Sequence, residues 1–108
     1  PTAIGSELYL DKDSSEHWKR CMQGHSAANM MPVIASNRIG TESDGTSMTF
    51  YGHSFITDGT GAIVKEADNH TQTVLTAEFD LDELAENRRN WGIFRDRRPE
   101  MYSGICSH

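Results

Sequence analysis

The sequence has few apolar residues, few cysteines and no long hydrophobic run. Only 36% of its 108 residues are hydrophobic, against about 45–50% in ordinary globular domains. The length suits one domain, but this composition is low for a domain that closes its own core. No apolar run approaches the roughly 18 residues of a membrane-spanning helix, so no membrane segment is predicted. The two cysteines are widely spaced and form neither a disulfide framework nor a paired-cysteine metal motif.

The sequence also lacks a signal-peptide pattern and a basic stripe. Its formal net charge is −6, and the arginines between positions 88 and 98 are interleaved with Glu86, Asp96 and Glu100. Mixed charge of this kind does not predict nucleic-acid binding. An acidic balance suits a cationic small substrate, although most cytosolic proteins are acidic too. We therefore expect a cytoplasmic protein in a reducing compartment, with no nucleic-acid or membrane partner.

Two helices are predicted. Asp13 is a good N-cap with Glu16 three residues later, and a helix over residues 14–29 must end before Pro32. The predicted buried stripe of this helix repeats every three to four residues and comprises Trp18, Cys21, Met22, His25 and Ala28. A second helix is predicted from Asp80 to Trp91, because acidic residues favour a first helical turn and arginines a last one.

Short strands are predicted between these helices. The apolar run at 33–35 is typical of a strand covered on both faces. Residues 54–57 and 62–65 flank an Asp-Gly-Thr-Gly turn and predict a hairpin. Residues 73–79 alternate well enough for one more strand.

Two stretches are predicted to lack regular structure. Residues 41–48 are polar and are expected to form a loop. Residues 93–108 contain Phe94, Met101, Tyr102 and Ile105 without a helical or strand period. An irregular tail with such side chains is expected to pack on another surface.

Three patterns invite a specific chemistry but fit it poorly. Two Gly-His-Ser triplets, ending at Ser26 and Ser54, lack the Gly-x-Ser-x-Gly turn of a serine-hydrolase nucleophile. His17, Cys21 and His25 share a helix face, but three successive turns are too widely spaced for one tetrahedral zinc ion. A free N-terminal proline can be a general base, as in the tautomerase superfamily, but the residues after Pro1 do not form the regular strand that this family needs.

Several segments together resemble one family over essentially the whole chain. They share order and spacing with that family, and are residues 1–7 (PTAIGSE), 17–18 (HW), 23–25 (QGH), 27–29 (AAN), 35–40 (ASNRIG), 51–56 (YGHSFI) and 90–99 (NWGIFRDRRP). The chain resembles the carbon–nitrogen hydrolases of the nitrilase superfamily, and within it the carbamoylputrescine branch.

The resemblance implies an architecture. It implies an α/β fold, the C-terminal part of a four-layer α-β-β-α sandwich of the nitrilase type, formed by residues 1–108. In this family the helix faces and C-terminal tails join subunits, which implies a homo-oligomer with residues 93–108 against a partner subunit. Half of such a sandwich would leave an apolar sheet face uncovered.

The resemblance also implies a reaction. A cysteine attacks the carbamoyl carbon, a glutamate is the general base, and a lysine stabilises the oxyanion; neither cofactor nor metal is needed. The nucleophile lies in a Cys-Trp-Asp context that is not found here. We therefore expect Pro1 to be a cut edge, the catalytic residues to lie outside this chain, and the chain alone to be inactive.

Four residues are expected to border the substrate, a small carbamoylated amine. Thr2 and Ala3 would lie at the end of the strand that follows the nucleophile, and Ser6 and Glu7 in the loop beyond it. Glu7 is a candidate for receiving the distal ammonium, and an exposed loop carboxylate is an equally good interpretation. Asn37 and Arg38 are expected to fix a strand end and subunit contacts. A different amidase of the superfamily, and a non-catalytic binding or oligomerisation module, remain alternatives.

Overall fold

A helix packed on a small antiparallel sheet forms the centre of the structure, a computed structural model that describes residues 1–6 and 13–106. Helix α1 spans Ser15–Asn29. The sheet comprises β1 (Ile34–Ala35), β4 (Phe55–Thr57) and β5 (Ile63–Glu66), with β4 in the middle. The hairpin predicted around residues 58–61 is confirmed as the β4–β5 pair.

The core lies between α1 and the sheet. Trp18, Ala35 and Phe55 form it, and the rings of Trp18 and Phe55 meet edge to face with centroids 5.4 Å apart. Around them pack four half-buried residues, Ile4, Met22, Val33 and Ile63. The structure therefore places Ile4, near the start of the chain, against the same core as the helix.

The predicted helix is confirmed, but its buried stripe is only partly right: Trp18 is in the core and Met22 packs against it. Ser15, Trp18 and Ser26 are buried, whereas Cys21, His25 and Ala28 are exposed. Ser26 takes a buried position because its hydroxyl has hydrogen-bond partners in Met31, Thr57 and Asp58, which an apolar count misses. The N-cap residue is Ser14, although the Asp13 carboxylate accepts a hydrogen bond from the Ser15 amide at 2.8 Å.

The predicted loop at 41–48 is a two-stranded ribbon instead. Strands β2 (Thr41–Asp44) and β3 (Thr46–Thr49) pair in antiparallel register around Gly45. Every residue in them is exposed. The ribbon is stabilised by its ladder and by cross-strand hydroxyl pairs such as Thr41–Thr49 at 2.8 Å, so it leaves no apolar alternation in the sequence.

The predicted strand at 73–79 does not form; these residues have no regular structure. Helix α2, Leu81–Trp91, is confirmed with Asp80 as its N-cap, since the Asp80 carboxylate accepts the amides of Asp82 and Glu83. Beyond it lie a 3₁₀ turn at Pro99–Met101 and one helical turn, α3, at Ser103–Cys106. No helix among the described residues is long and apolar enough to cross a membrane.

The molecule is a thin slab, with extents of 50, 42 and 18 Å. Its radius of gyration is 17.6 Å, whereas a compact chain of this length has about 13 Å. It exposes 8138 Å², where a compact monomer of this size exposes about 6,000 Å². Ala35 packs towards α1, so the neighbouring Ile34, 73% exposed, points to the opposite sheet face. In this chain β1 is therefore covered on one face, not on both as its apolar run predicts, and Ile34 lies on the uncovered face.

Candidate functional site

Residues 1–6 lie across the end of the sheet, next to the segment that follows β1. Thr2 forms a parallel bridge with Asn37, and Gly5 an antiparallel bridge with Phe50. The Thr2 amide donates to the Ser36 carbonyl at 2.7 Å, and the Thr2 carbonyl accepts from the Arg38 amide at 3.2 Å. We call residues 2–6 the rim segment, because it contains Thr2, Ala3 and Ser6, the described residues expected to border a substrate.

The side chain of Asn37 makes four hydrogen bonds at this end of the sheet. Its Oδ1 accepts from the Ile4 amide at 2.9 Å and lies 2.9 Å from the Thr2 hydroxyl. Its Nδ2 donates to the carbonyls of Ile4, at 3.1 Å, and Gly52, at 3.0 Å. All the usual hydrogen-bonding capacity of a carboxamide is therefore used.

Ser54 holds the backbone of Asn37. The Ser54 hydroxyl accepts from the Asn37 amide at 2.9 Å and lies 3.3 Å from the Asn37 carbonyl, to which it donates. Because Ser54 immediately precedes β4, this contact links the rim segment to the central strand. The second Gly-His-Ser triplet therefore has a structural role here.

The C-terminal end of the rim segment is hydrogen-bonded to strand β3 of the two-stranded ribbon. The Ser6 amide donates to the Thr49 carbonyl at 2.7 Å, and the Ser6 hydroxyl accepts from the Thr49 amide at 3.2 Å. A side chain at Gly5 would collide with the Thr49 carbonyl oxygen. Glycine is needed here because the two backbones approach too closely for a Cβ atom.

The structure brings three of the four predicted site residues into one segment. Thr2 and Ser6 are half-buried and Ala3 is exposed. Glu7 lies outside the described residues. Asn37 fixes a strand end, as expected. Its carboxamide also binds the backbone of Ile4 and Gly52. The sequence signal for this role is an asparagine just after a predicted strand.

A charged network lies beside this end of the sheet. The Lys19 ammonium contacts Glu66 at 2.7 Å and Glu16 at 2.9 Å, and His53 Nδ1 lies 3.3 Å from Glu66. Burial opposes the charge on Lys19, but its hydrogen bonds to Glu66 and Glu16 prevail and raise its pKa. The hydrogen bond from Lys19 lowers the pKa of Glu16. The network joins α1 to β5.

The described residues do not form the zinc site or the serine nucleophile considered from the sequence. Cys21 Sγ lies 3.7 Å from His17 Nε2 on an exposed helix face. Within residues 1–6 and 13–106, no three His, Cys, Asp or Glu side chains are grouped to hold a metal ion. Ser26 is completely buried and bonded to the backbone. Ser26 lacks the exposure of a nucleophile, and among the described residues the His17 imidazole has no third group that orients it towards Cys21.

Comparison with known proteins places this arrangement in a family. The carbon-nitrogen hydrolase family model matches residues 7–89. The chain belongs to this family. A solved structure, a carbon-nitrogen hydrolase from Helicobacter pylori G27, superposes with a TM-score of 0.79 at 34% identity, over 98% of this chain and 39% of that one. The predicted α/β fold of the nitrilase type is confirmed.

Two curated relatives are similar over nearly the whole chain. Citrullinase from Francisella tularensis is 58% identical over 97% of this chain. N-carbamoylputrescine amidase from Oryza sativa is 56% identical over 99% of it. The chain spans 37% and 38% of the lengths of these two relatives. The predicted membership of the carbon-nitrogen hydrolase family is confirmed.

Proposed function

We propose that this chain is part of an amidohydrolase that removes the carbamoyl group from N-carbamoylputrescine and releases putrescine, carbon dioxide and ammonia, a step of polyamine biosynthesis. The observation that carries the proposal is the 51–56% identity to N-carbamoylputrescine amidases over 99% of this chain. That identity covers the rim segment and its supports. The reaction needs neither a metal nor a cofactor in this proposal.

The substrate class is a terminal ureido group on an alkyl chain. Citrulline and N-carbamoylputrescine share that group and a positively charged amine at the distal end, but citrulline also carries a carboxylate. The citrullinase relative is as similar to this chain as the carbamoylputrescine amidases are. Purified complete enzyme should release ammonia from N-carbamoylputrescine with a higher kcat/KM than from citrulline. The reverse order would make citrulline the substrate.

Recognition of the distal amine is assigned to Glu7, with Ser6 beside it and Thr2 and Ala3 bordering the substrate. A desolvated carboxylate several ångströms from the carbamoyl carbon would select a cationic chain. Glu7→Gln should raise KM for N-carbamoylputrescine about tenfold and leave KM for an uncharged alkylurea unchanged. If both values rise equally, Glu7 is not the recognition residue.

The nucleophile is proposed to lie outside this chain. The nucleophile of the family lies in a Cys-Trp-Asp context, whereas Cys21 is followed by Met-Gln and Cys106 by Ser-His. The Cys21→Ser and Cys106→Ser variants of the complete enzyme should therefore keep full activity. Loss of activity in Cys21→Ser, with its fold intact, would move the nucleophile to α1.

The proposed assembly is a cytoplasmic homo-oligomer joined through helix faces and residues 93–108. Large apolar side chains of this tail are exposed, Met101 at 65% and Ile105 at 81%. Deleting residues 101–108 should lower the oligomer mass measured by light scattering.

Another amidase of the superfamily, of the β-ureidopropionase or ω-amidase kind, would instead prefer a carboxylate-bearing ureido acid or an ω-amide. A non-catalytic module would release no ammonia.

A further inference from the structure

Two polar junctions hold the two ends of the β1–β4 pair, and they have different neighbours. The rim junction consists of Asn37 with Thr2, Ile4, Gly52 and Ser54. The far junction consists of the following residues at the other end of the same strands: Ser26, Met31, Val33, Thr57 and Asp58. Only the rim junction contacts the rim segment.

The Asn37 carboxamide acts on Ile4 as a neighbouring strand would. It binds both the amide and the carbonyl of Ile4, at 2.9 and 3.1 Å, and extends to the Gly52 carbonyl. The opposite amide orientation would place an NH₂ group against the Ile4 N–H, so the partners fix which atom is which. Because a carboxamide is planar, these bonds fix both the position and the rotation of the rim backbone at Ile4.

Apart from the carboxamide, Ile4 itself has two anchors, one on its carbonyl and one on its side chain. The Ile4 carbonyl also accepts from the Tyr51 amide at 3.0 Å, and its side chain packs against the core. Its amide has Asn37 Oδ1 as its acceptor. A half-buried amide that loses its acceptor is unfavourable. If this carboxamide were lost, the backbone at Ile4 would therefore loosen between the bonds that hold Thr2 and Ser6.

We infer that Asn37 is a positioning residue of the proposed amidase, which acts on substrate through the rim segment. This inference rests on the proposed function, because the rim segment is there assigned to border the substrate. Asn37 sets the backbone at Ile4, and with it the direction in which Thr2, Ala3 and Ser6 face the carbamoylated amine. Its loss should weaken substrate binding more than it slows the bond-breaking step.

The test compares Asn37→Ala with Ser26→Ala in the complete enzyme. Ser26 is a matched control, because its hydroxyl also joins several segments: it lies 2.7 Å from both the Met31 and Asp58 carbonyls and accepts from Thr57 at 2.8 Å. It has no contact with the rim segment in the described structure. Both variants should lose thermal stability. Only Asn37→Ala should raise KM for the ureido substrate, by about tenfold, with a smaller change in kcat.

Hydrogen exchange gives a readout that does not depend on activity. The Ile4 and Ser6 amides should exchange about tenfold faster in Asn37→Ala and at the wild-type rate in Ser26→Ala. If Asn37→Ala does not fold, the isosteric Asn37→Asp takes its place; it keeps the acceptor but places an oxygen against the Ile4 and Gly52 carbonyls, so KM should still rise.

Equal KM values in both variants, or a wild-type KM in Asn37→Asp, would overturn the inference. If the wild-type enzyme hydrolyses no ureido compound, the proposed function fails instead, while the exchange rates still show whether Asn37 positions the rim segment.

Discussion

The rim junction and the far junction show two ways of closing a strand pair. At the far junction, two hydroxyls join the segments. The Thr57 hydroxyl accepts from the Val33 amide and donates to the Ser26 hydroxyl, and Thr57 and Ser26 are completely buried. At the rim junction, one carboxamide joins three backbone segments and stays partly exposed. A hydroxyl rotates to suit its partners, whereas a carboxamide fixes their orientation. The hydroxyl pair closes one end of the buried core, and the carboxamide holds a segment that is proposed to face substrate.

The largest effect should come from the core that both junctions share. Phe55 is fully buried between them, so Phe55→Ala should destabilise the protein by about 3–5 kcal/mol, because it removes a ring and leaves a cavity. Both ends of the sheet should then loosen together. Denaturant unfolding measures the loss, and hydrogen exchange shows whether both ends respond.

Phe94 provides the matched control. Its ring lies 4.7 Å from the Arg88 guanidinium and 5.4 Å from that of Arg97, outside the core. Phe94→Ala should cost about 1–2 kcal/mol, mainly from lost cation–π contacts. If the two phenylalanine variants are equally stable, the core does not link the junctions.

Two glycines, one in the rim segment and one in the β4–β5 turn, test whether the two ends of the sheet differ in function. An added Cβ atom at Gly5 would meet the Thr49 carbonyl, and one at Gly61 would meet the Gln23 carbonyl at 2.7 Å. Gly5→Ala and Gly61→Ala should each cost about 1–3 kcal/mol, since the backbone must shift; Gly61 also has a φ of 88°, which strains an alanine. Only Gly5→Ala should raise KM, because only Gly5 belongs to the rim segment.

A third glycine tests whether the cost comes from the close approach. An added Cβ atom at Gly24, within α1, meets nothing within 4 Å, so Gly24→Ala should stabilise the helix by roughly 1 kcal/mol. Thermal melting of the three variants checks the order. A wild-type KM in Gly5→Ala would remove the distinction between the two ends.

The far junction should behave as one unit. Ser26→Ala and Thr57→Val should each cost about 1–3 kcal/mol, because each leaves a buried partner unsatisfied. The double variant should cost less than their sum by about 1 kcal/mol, since their shared hydrogen bond is lost only once. Strict additivity would mean that the hydroxyls act separately. KM should be unchanged in all three.

The sequence predicts the elements that carry a local signal. Helix α1 has an apolar periodicity and a proline beyond its end, helix α2 has acidic residues in its first turn and arginines in its last, and the β4–β5 hairpin has its Asp-Gly-Thr-Gly turn. The β2–β3 ribbon was missed because it is polar on both faces, and residues 73–79 were misassigned because alternation cannot show whether a pairing edge is present. The predicted stripe of α1 does not include Ser26, because Ser26 is buried by hydrogen bonds to Met31 and Asp58. A search for apolar periodicity does not detect a serine that is buried in this way.

The candidate site is predictable in part for the same reason. The motif resemblance identifies Thr2, Ala3 and Ser6 as one segment. It does not show that an asparagine 33 residues from Ile4 binds both polar groups of its backbone. Contacts of that range depend on the register of β1 against β4, which is set by the whole sheet.

The smallest predicted effect concerns acid and the rim side of the sheet. The Asp68 carboxylate accepts the amides of His70 at 2.9 Å and Thr71 at 2.6 Å. These bonds lower the pKa of Asp68 to about 2, from about 3.9 in an unfolded chain. Since the folded value is depressed, the stabilisation is complete above the unfolded pKa and is lost as pH falls from about 4 towards 2. Asp68→Asn should therefore melt below wild type at pH 7 and approach it at pH 3.

The far side of the sheet supplies the comparison for this prediction. Hydrogen bonds from Thr60, and also from Ala62 and Gly61, lower the pKa of Asp58, so Asp58→Asn should show the same convergence on acidification. Asp68 and Asp58 differ in the backbone segments that they contact. The Asp68 carbonyl accepts the His53 amide at 3.1 Å, next to Ser54 of the rim junction, so Asp68→Asn should speed exchange of the His53 amide, whereas Asp58→Asn should not. A gap from wild type that stays constant between pH 7 and pH 3 would show that the Asp68 charge does not stabilise this turn.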